Sequence, residues 1–98
     1  MDKVFKALGD PTRRHILKLL REREMTAGEI AECFALSKPT LSGHFNVLRE
    51  ADLVASERSG TTITYRLNVS VLEEALLGFA DVVGIGLKPV RRTGVLKG

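Results

Sequence analysis

Apolar residues recur along this chain first at helical spacing, then in alternation, then at helical spacing again. Val4, Phe5 and Leu8 give the N-terminal segment an apolar stripe. Gly9-Asp10-Pro11 punctuates it: Gly can end a short helix, Asp can cap the next, and Pro at the first helical position loses no needed hydrogen bond. In the helix that begins there, Ile16, Leu17, Leu19 and Leu20 lie on one side and Arg14, Lys18, Arg21 and Glu22 on the other. Thr26-Ala27-Gly28-Glu29 has capping-box spacing and predicts a short helix from about Ala27 to Phe34. Ala35-Leu36 reads as a tight connection. Ser37 then caps a further helix to about Ala51, which tolerates Pro39 in its first turn. Two helices joined this closely, the second opening with small polar groups, predict a helix-turn-helix.

The period then changes. Val54 to Arg58 and Ile63 to Leu67 are β-rich runs around Ser59-Gly60-Thr61-Thr62, which predicts a hairpin. Ile63, Tyr65 and Leu67 alternate with Thr62, Thr64 and Arg66, so one face is buried and the other wet. A last helix is expected from a cap at Ser70 to about Leu87, followed by Pro89. The fold class is therefore mainly α with a small β-hairpin wing, a winged helix-turn-helix over residues 1–87. Residues 88–98 form a basic tail expected to be mobile.

Plotted at about 100° per residue, the helix opened by Ser37 sets Leu41, Phe45 and Leu48 on one side and Lys38, Ser42, Asn46 and Arg49 on the opposite side. The polar face is free of acids until Glu50. Phosphates tolerate such a surface, and Ser, Asn and Lys can hydrogen-bond base edges in a major groove. The wheel alone does not separate it from an ordinary solvated helix face. His44 plots nearer Leu48 and Ala51, which favours a partly buried structural histidine over a base-reading one. Arg13, beside the apolar arc of its helix, is expected to lay down its stem or pair with a carboxylate rather than touch nucleic acid.

In the last helix Val71, Leu72, Ala75, Leu76, Phe79, Ala80, Val82, Val83, Ile85 and Leu87 cover roughly 220° of the wheel, about twice the ~100° that one core contact requires. A twin copy would cover the excess with two-fold symmetry. The expected dimer interface joins the N- and C-terminal helices through Val4, Phe5, Leu8, Leu72, Leu76, Phe79 and Val83. A membrane surface is disfavoured because the polar arc, Glu73, Glu74 and Asp81, is acidic.

Composition narrows the function classes. With 98 residues there is room for one small domain. The net charge of +3 is concentrated at the end: Lys88, Arg91, Arg92 and Lys97 stand without an acid, leaving 11 bases against 12 acids elsewhere. An argument for nucleic-acid binding must then rest on where the bases sit. The tail could add phosphate contacts or be a solvated end, and the second reading is preferred. Cys33 is the single cysteine and Met1-Asp2-Lys3 opens no signal peptide or membrane span, so a cytosolic protein without membrane insertion is expected. No paired-carboxylate, Ser/His/Asp, Cys/His or phosphate-loop spacing occurs, and His15, His44 and Cys33 share no evident site. The chain is not expected to be an enzyme.

Three stretches then carry a resemblance: Val4-Phe-Lys-Ala-Leu-Gly-Asp-Pro-Thr-Arg-Arg-His-Ile-Leu-Lys-Leu-Leu20, Leu36-Ser-Lys-Pro-Thr-Leu-Ser-Gly-His-Phe-Asn-Val-Leu-Arg-Glu-Ala51 and Tyr65-Arg-Leu-Asn68. In order and spacing the chain resembles the ArsR/SmtB winged-helix repressors, most of all their SdpR-type autorepressors, over about residues 1 to 85. The resemblance implies a cytosolic homodimer that represses transcription from double-stranded DNA, often of its own operon. It implies base and backbone contacts at Lys38, Thr40, Ser42 and Gly43 and, on the wing, at Arg58, Thr61 and Thr62. Gly43 stands where relatives usually have His or Arg. Asp52 replaces a common Gly, though Asp can adopt the left-handed turn required there.

The family's sensing ligands do not carry over. Its thiolate pair would fall near Thr26 and Gly28, and its Asp/His ligands near Val69, Val71, Val82 and Ile85. No metal and no cofactor is expected. Cys33, between Ile30 and Phe34, reads as a small core hydrophobe and not a redox sensor. A competing reading keeps the fold but makes the chain a protein-interaction module that sequesters, or is sequestered by, another regulator or a membrane partner.

Overall fold

The computed structural model describes residues 2–87, so the basic tail lies outside the described residues. Helix starts follow local chemistry. Helix α1 spans Asp2–Leu8 and α2 spans Pro11–Glu22. Asp10 caps α2, its Oδ2 accepting the amides of Thr12 at 2.8 Å and Arg13 at 3.1 Å. A two-residue strand, β1 (Met25–Thr26), leads into α3 (Ala27–Ala31). The capping box is formed reciprocally: the Glu29 amide donates to Thr26 Oγ1 at 3.0 Å and the Thr26 amide to Glu29 Oε1 at 2.8 Å.

Helix α3 is shorter than expected. After Ala31 the chain tightens, with the Cys33 amide donating to the Ile30 carbonyl and that of Phe34 to Ala31. This turns Phe34 inward, its ring edge-on to His15 at 5.0 Å, and leaves Cys33 exposed, with its thiol 3.6 Å from the Glu29 carbonyl. The expectation of a core cysteine is therefore corrected.

Helix α4 (Lys38–Glu50) is capped by Ser37 and ends in a Schellman arrangement, the Leu53 amide reaching the Leu48 carbonyl and that of Asp52 the Arg49 carbonyl. Asp52 takes the left-handed conformation this demands, with φ 59°. The hairpin follows as β2 (Val54–Ser59) and β3 (Thr62–Leu67), Ser59 opposite Thr62. The sheet is antiparallel in the order β1-β3-β2, with Met25 opposite Tyr65 and Thr26 opposite Thr64. The β1–β3 pairing was absent from the sequence reading, since two residues carry no visible alternation.

Helix α5 covers Val69–Val83, not Ser70 to Leu87. It starts earlier because Asn68, the residue before it, spends its side chain on the Asp52 carbonyl at 2.8 Å and its amide on Leu53. It stops at Gly84, whose φ of 82° breaks the helix while the Ile85 amide closes onto the Ala80 carbonyl.

Ile16, Ile30, Leu48 and Leu53, one each from α2, α3, α4 and the chain entering β2, are the largest fully buried side chains. Each such burial contributes about 1.5–3 kcal/mol. Helix α5 adds only Ala75 and Ala80 to the buried set, while Leu76, Phe79, Val82 and Val83 stay exposed, Val82 at 76%.

Candidate nucleic-acid interface

Helix α4 shows the outside of the helix-turn-helix. Lys38, Thr40, Ser42, Gly43, Asn46 and Arg49 are all exposed on it, and Leu41, Phe45 and Leu48 are buried. The two sets are not opposite each other. Arg49 lies about 40° around the helix from Phe45, and Lys38 and Ser42 share a cleft with Ala27, Gly28, Ala31, Leu41 and Phe45. The polar strip thus borders the core stripe and faces the α3 side. Gly43 stands free on the outer face: a Cβ there would meet nothing within 4 Å. Its glycine is not forced by space.

Arg58, Thr61 and Thr62 are exposed on the wing. From Ser56 to Thr62 every residue is exposed, so the hairpin projects beyond the core. Its base is held to α4 by Tyr65, whose ring stacks on Phe45 with centroids 4.4 Å apart. Burial pushes the Tyr65 phenol above its ordinary range, against the opposing pull of Arg49 and Arg58. One guanidinium belongs to α4 and the other to β2, the two elements that the Phe45–Tyr65 stack joins. Arg66, on the wet face of β3, is a further exposed wing cation. The alternation that assigned it to that face was the signal for including it.

His44 and Arg13 sit inside the frame. The His44 side chain is 16% exposed and its Nδ1 lies 3.1 Å from Arg13 Nη1. Arg13 donates from Nε to the Ala7 carbonyl at 2.8 Å and from Nη2 to the Lys6 carbonyl at 2.9 Å. Arg13 thus holds the C-terminal end of α1 with backbone contacts, of the two expected arrangements the one without a carboxylate partner. Partial burial acts to raise the Asp10 carboxyl. The Arg13 amide, His44, the Thr12 amide and the Arg13 guanidinium together hold it below the ordinary carboxylate range.

The residues expected at a dimer face divide into two groups. Val4 is turned by α1 into the core of the chain, at 6% exposure. Leu8 and Leu72 are half-buried against the same core. Leu76, Phe79 and Val83 are exposed, and so are Val82, Ile85 and Leu87 of the same apolar arc. Phe5 meets Phe79 with ring centroids 5.1 Å apart. Beside them Leu8, Leu17, Leu67, Leu72 and Leu76 floor a groove of about 360 Å³, rimmed by Arg14, Lys18 and Arg21.

The positions where the resemblance would put metal ligands hold other chemistry. Thr26 already spends its hydroxyl on the Glu29 amide, Gly28 has no side chain, and Val69, Val71, Val82 and Ile85 offer hydrocarbon. Among the described residues no three His, Cys, Asp or Glu side chains gather as a metal site, and no helix is long and apolar enough to cross a membrane.

Known proteins resemble this chain in sequence and in fold. The family model described as bacterial regulatory protein, arsR family, matches residues 10–56, from the cap of α2 into β2. The chain is 50% identical over 86 residues to the transcriptional repressor SdpR of Bacillus subtilis (strain 168), covering 88% of this chain and 96% of that protein. It is 39% identical over 70 residues to an arsenical resistance operon repressor of Staphylococcus xylosus, covering 71% and 67%. Among solved structures, a possible transcriptional regulator for arsenical resistance superposes with a TM-score of 0.74 at 32% identity, covering 88% of each chain.

Proposed function

Because this chain belongs to the arsR family of bacterial regulatory proteins, which are DNA-binding transcriptional regulators and not enzymes, we propose that it is a homodimeric repressor in the cytosol. It reads a near-palindromic operator, in keeping with an autorepressor, and needs no metal to do so. The observation that carries the reading is the exposed strip of Lys38, Ser42 and Arg49 on α4, with Arg58 exposed on the wing whose base stacks against the same helix. Lysine, serine and arginine donors suit phosphate and base-edge contacts. Thr40, Gly43, Asn46, Thr61 and Thr62 extend the same surface.

The second copy accounts for α5. Leu76, Phe79, Val82 and Val83 expose more hydrocarbon than a stable monomer needs to. The groove beside them, with Arg14, Lys18 and Arg21 at its rim, complements the acidic Glu73, Glu74 and Asp81 of a twin helix. Two α4 helices related by the two-fold would enter successive major grooves about 34 Å apart.

Selection of bound genomic fragments, followed by titration of a selected duplex and a random one, tests the reading. Ser42→Ala or Lys38→Ala should weaken the selected duplex by about 1–3 kcal/mol if the side chain reads a base, whereas a phosphate contact weakens both duplexes alike. Equal affinity for the two duplexes at all salt concentrations rejects the proposal.

A further inference from the structure

Arg13 links three helices through one guanidinium: to the α1 carbonyls of Ala7 and Lys6 and, from α2, to His44 on α4. An arginine side chain has donors only and keeps its charge in proteins. The 3.1 Å contact therefore requires His44 Nδ1 to accept, which puts the proton of a neutral imidazole on Nε2. Nε2 faces Asp10 Oδ2 at 3.9 Å, and that carboxylate is already engaged by the amides that start α2. The α4 neighbours one turn away, Thr40, Leu41, Val47 and Leu48, are uncharged; Arg14 is directed to the Leu8 carbonyl; and Lys3 and Lys6 of α1 are exposed.

His44 occupies a different flank of α4 from Lys38, Ser42 and Arg49, so it acts on DNA only through the placement of the helix. The corner it grips is also the one from which Phe5 reaches Phe79 on α5. The tie thus fixes α4 relative to the apolar face proposed to join two copies. A pair of reading helices is sensitive to that angle, since both must meet their grooves at once.

We infer that His44 is a positioning residue whose neutral form holds α4 to the α1–α2 corner, and that its protonation releases α4 and lowers operator affinity. A proton on Nδ1 would set N–H against N–H and place two cations 3.1 Å apart, nearer than the compensating carboxylate at 3.9 Å. Histidine is the side chain that ordinarily changes charge between about pH 5 and 8. The sign is opposite to that of a histidine touching phosphate, whose protonation strengthens binding.

The DNA readout rests on the repressor reading; the structural readout does not. For the full chain and a selected genomic duplex at constant salt, affinity should fall about tenfold from about pH 8 to about pH 5.5, the loss of one charge-assisted hydrogen bond. His44→Gln, whose amide oxygen can accept from Arg13 without titrating, should flatten the profile, and His15→Gln should retain it. On the wild-type protein, nitrogen NMR of the imidazole should show the Nε2–H form at neutral pH, and α4 amide signals should shift as His44 protonates. Affinity that rises on acidification, a His44→Gln profile parallel to wild type, or an Nδ1–H form at neutral pH would each overturn the inference. Absence of selective DNA binding at every pH would instead sink the repressor reading and leave the NMR result to decide this one.

Discussion

The rings of Phe45 and Tyr65 lie 4.4 Å apart and 24° from parallel, joining α4 to the central strand of the hairpin. Both residues are buried, so the contact belongs to the core as well as to the interface. Truncation of Phe45 to Ala should cost about 3–5 kcal/mol. Tyr65→Phe keeps the stack and should change stability by less than about 1 kcal/mol. Denaturant titration at one fixed protein concentration measures both, because association would otherwise shift the midpoint. Similar losses for the two variants would show that the stack is not what anchors the wing.

Acid sensitivity should come from the helix starts. The Thr26 amide, foremost, and Arg23 hold the Glu29 carboxyl below its ordinary range against the opposing effect of partial burial, and Asp10 is lowered as described. A carboxylate depressed in the folded state contributes stability that is complete above its unfolded value, about 4, and disappears as pH falls through the lower folded value. The combined Asp10→Asn and Glu29→Gln variant keeps both caps without titrating them. Its thermal midpoint should fall less steeply than wild type below about pH 4; an identical fall would assign acid unfolding to other groups.

Phe79→Asp should abolish self-association. The ring is 48% exposed in the isolated chain, so the substitution removes little from the protomer core while placing a charge in the proposed contact between copies. Sedimentation at micromolar concentration should show dimers for wild type and monomers for the variant, and affinity for a palindromic duplex should drop with it. A wild-type monomer would remove the two-fold reading.

Two backbone positions invite stabilisation. Gly43 has open space around it in the middle of α4, so Gly43→Ala should add about 0.5–1 kcal/mol through helix propensity alone. Asp52 holds a φ of 59°, and Asp52→Gly relieves a conformation that costs most L-residues roughly 1–2 kcal/mol. Gly43→Arg carries a separate expectation: a new phosphate contact should steepen the dependence of log affinity on log salt by about 0.9. Thermal melts and salt titrations check the two effects independently.

The parts of the fold legible in sequence were those fixed by neighbours within a turn. Asp10 before Pro11, Thr26 before Glu29 and Ser37 before Pro39 announced three helix starts because capping is local chemistry. Alternation around Tyr65 announced the hairpin for the same reason. What escaped is held from a distance. Asn68 displaced the start of α5 because Asp52, 16 residues earlier, claims its side chain. The Arg13–His44 contact spans 31 residues, and no periodicity encodes it. The wheel sorted α4 into polar and apolar residues but not into the surfaces they border, since that depends on where α3 and the hairpin lie.

Strand β1 gives the wing a constraint of its own. Thr26 pairs with Thr64 through its backbone while its hydroxyl begins α3. The hairpin and the first helix of the reading pair therefore share a hinge pin, and neither can swing without dragging the other. Lengthening the turn at Gly60-Thr61 would then extend the wing's reach along a groove while leaving its bearing unchanged.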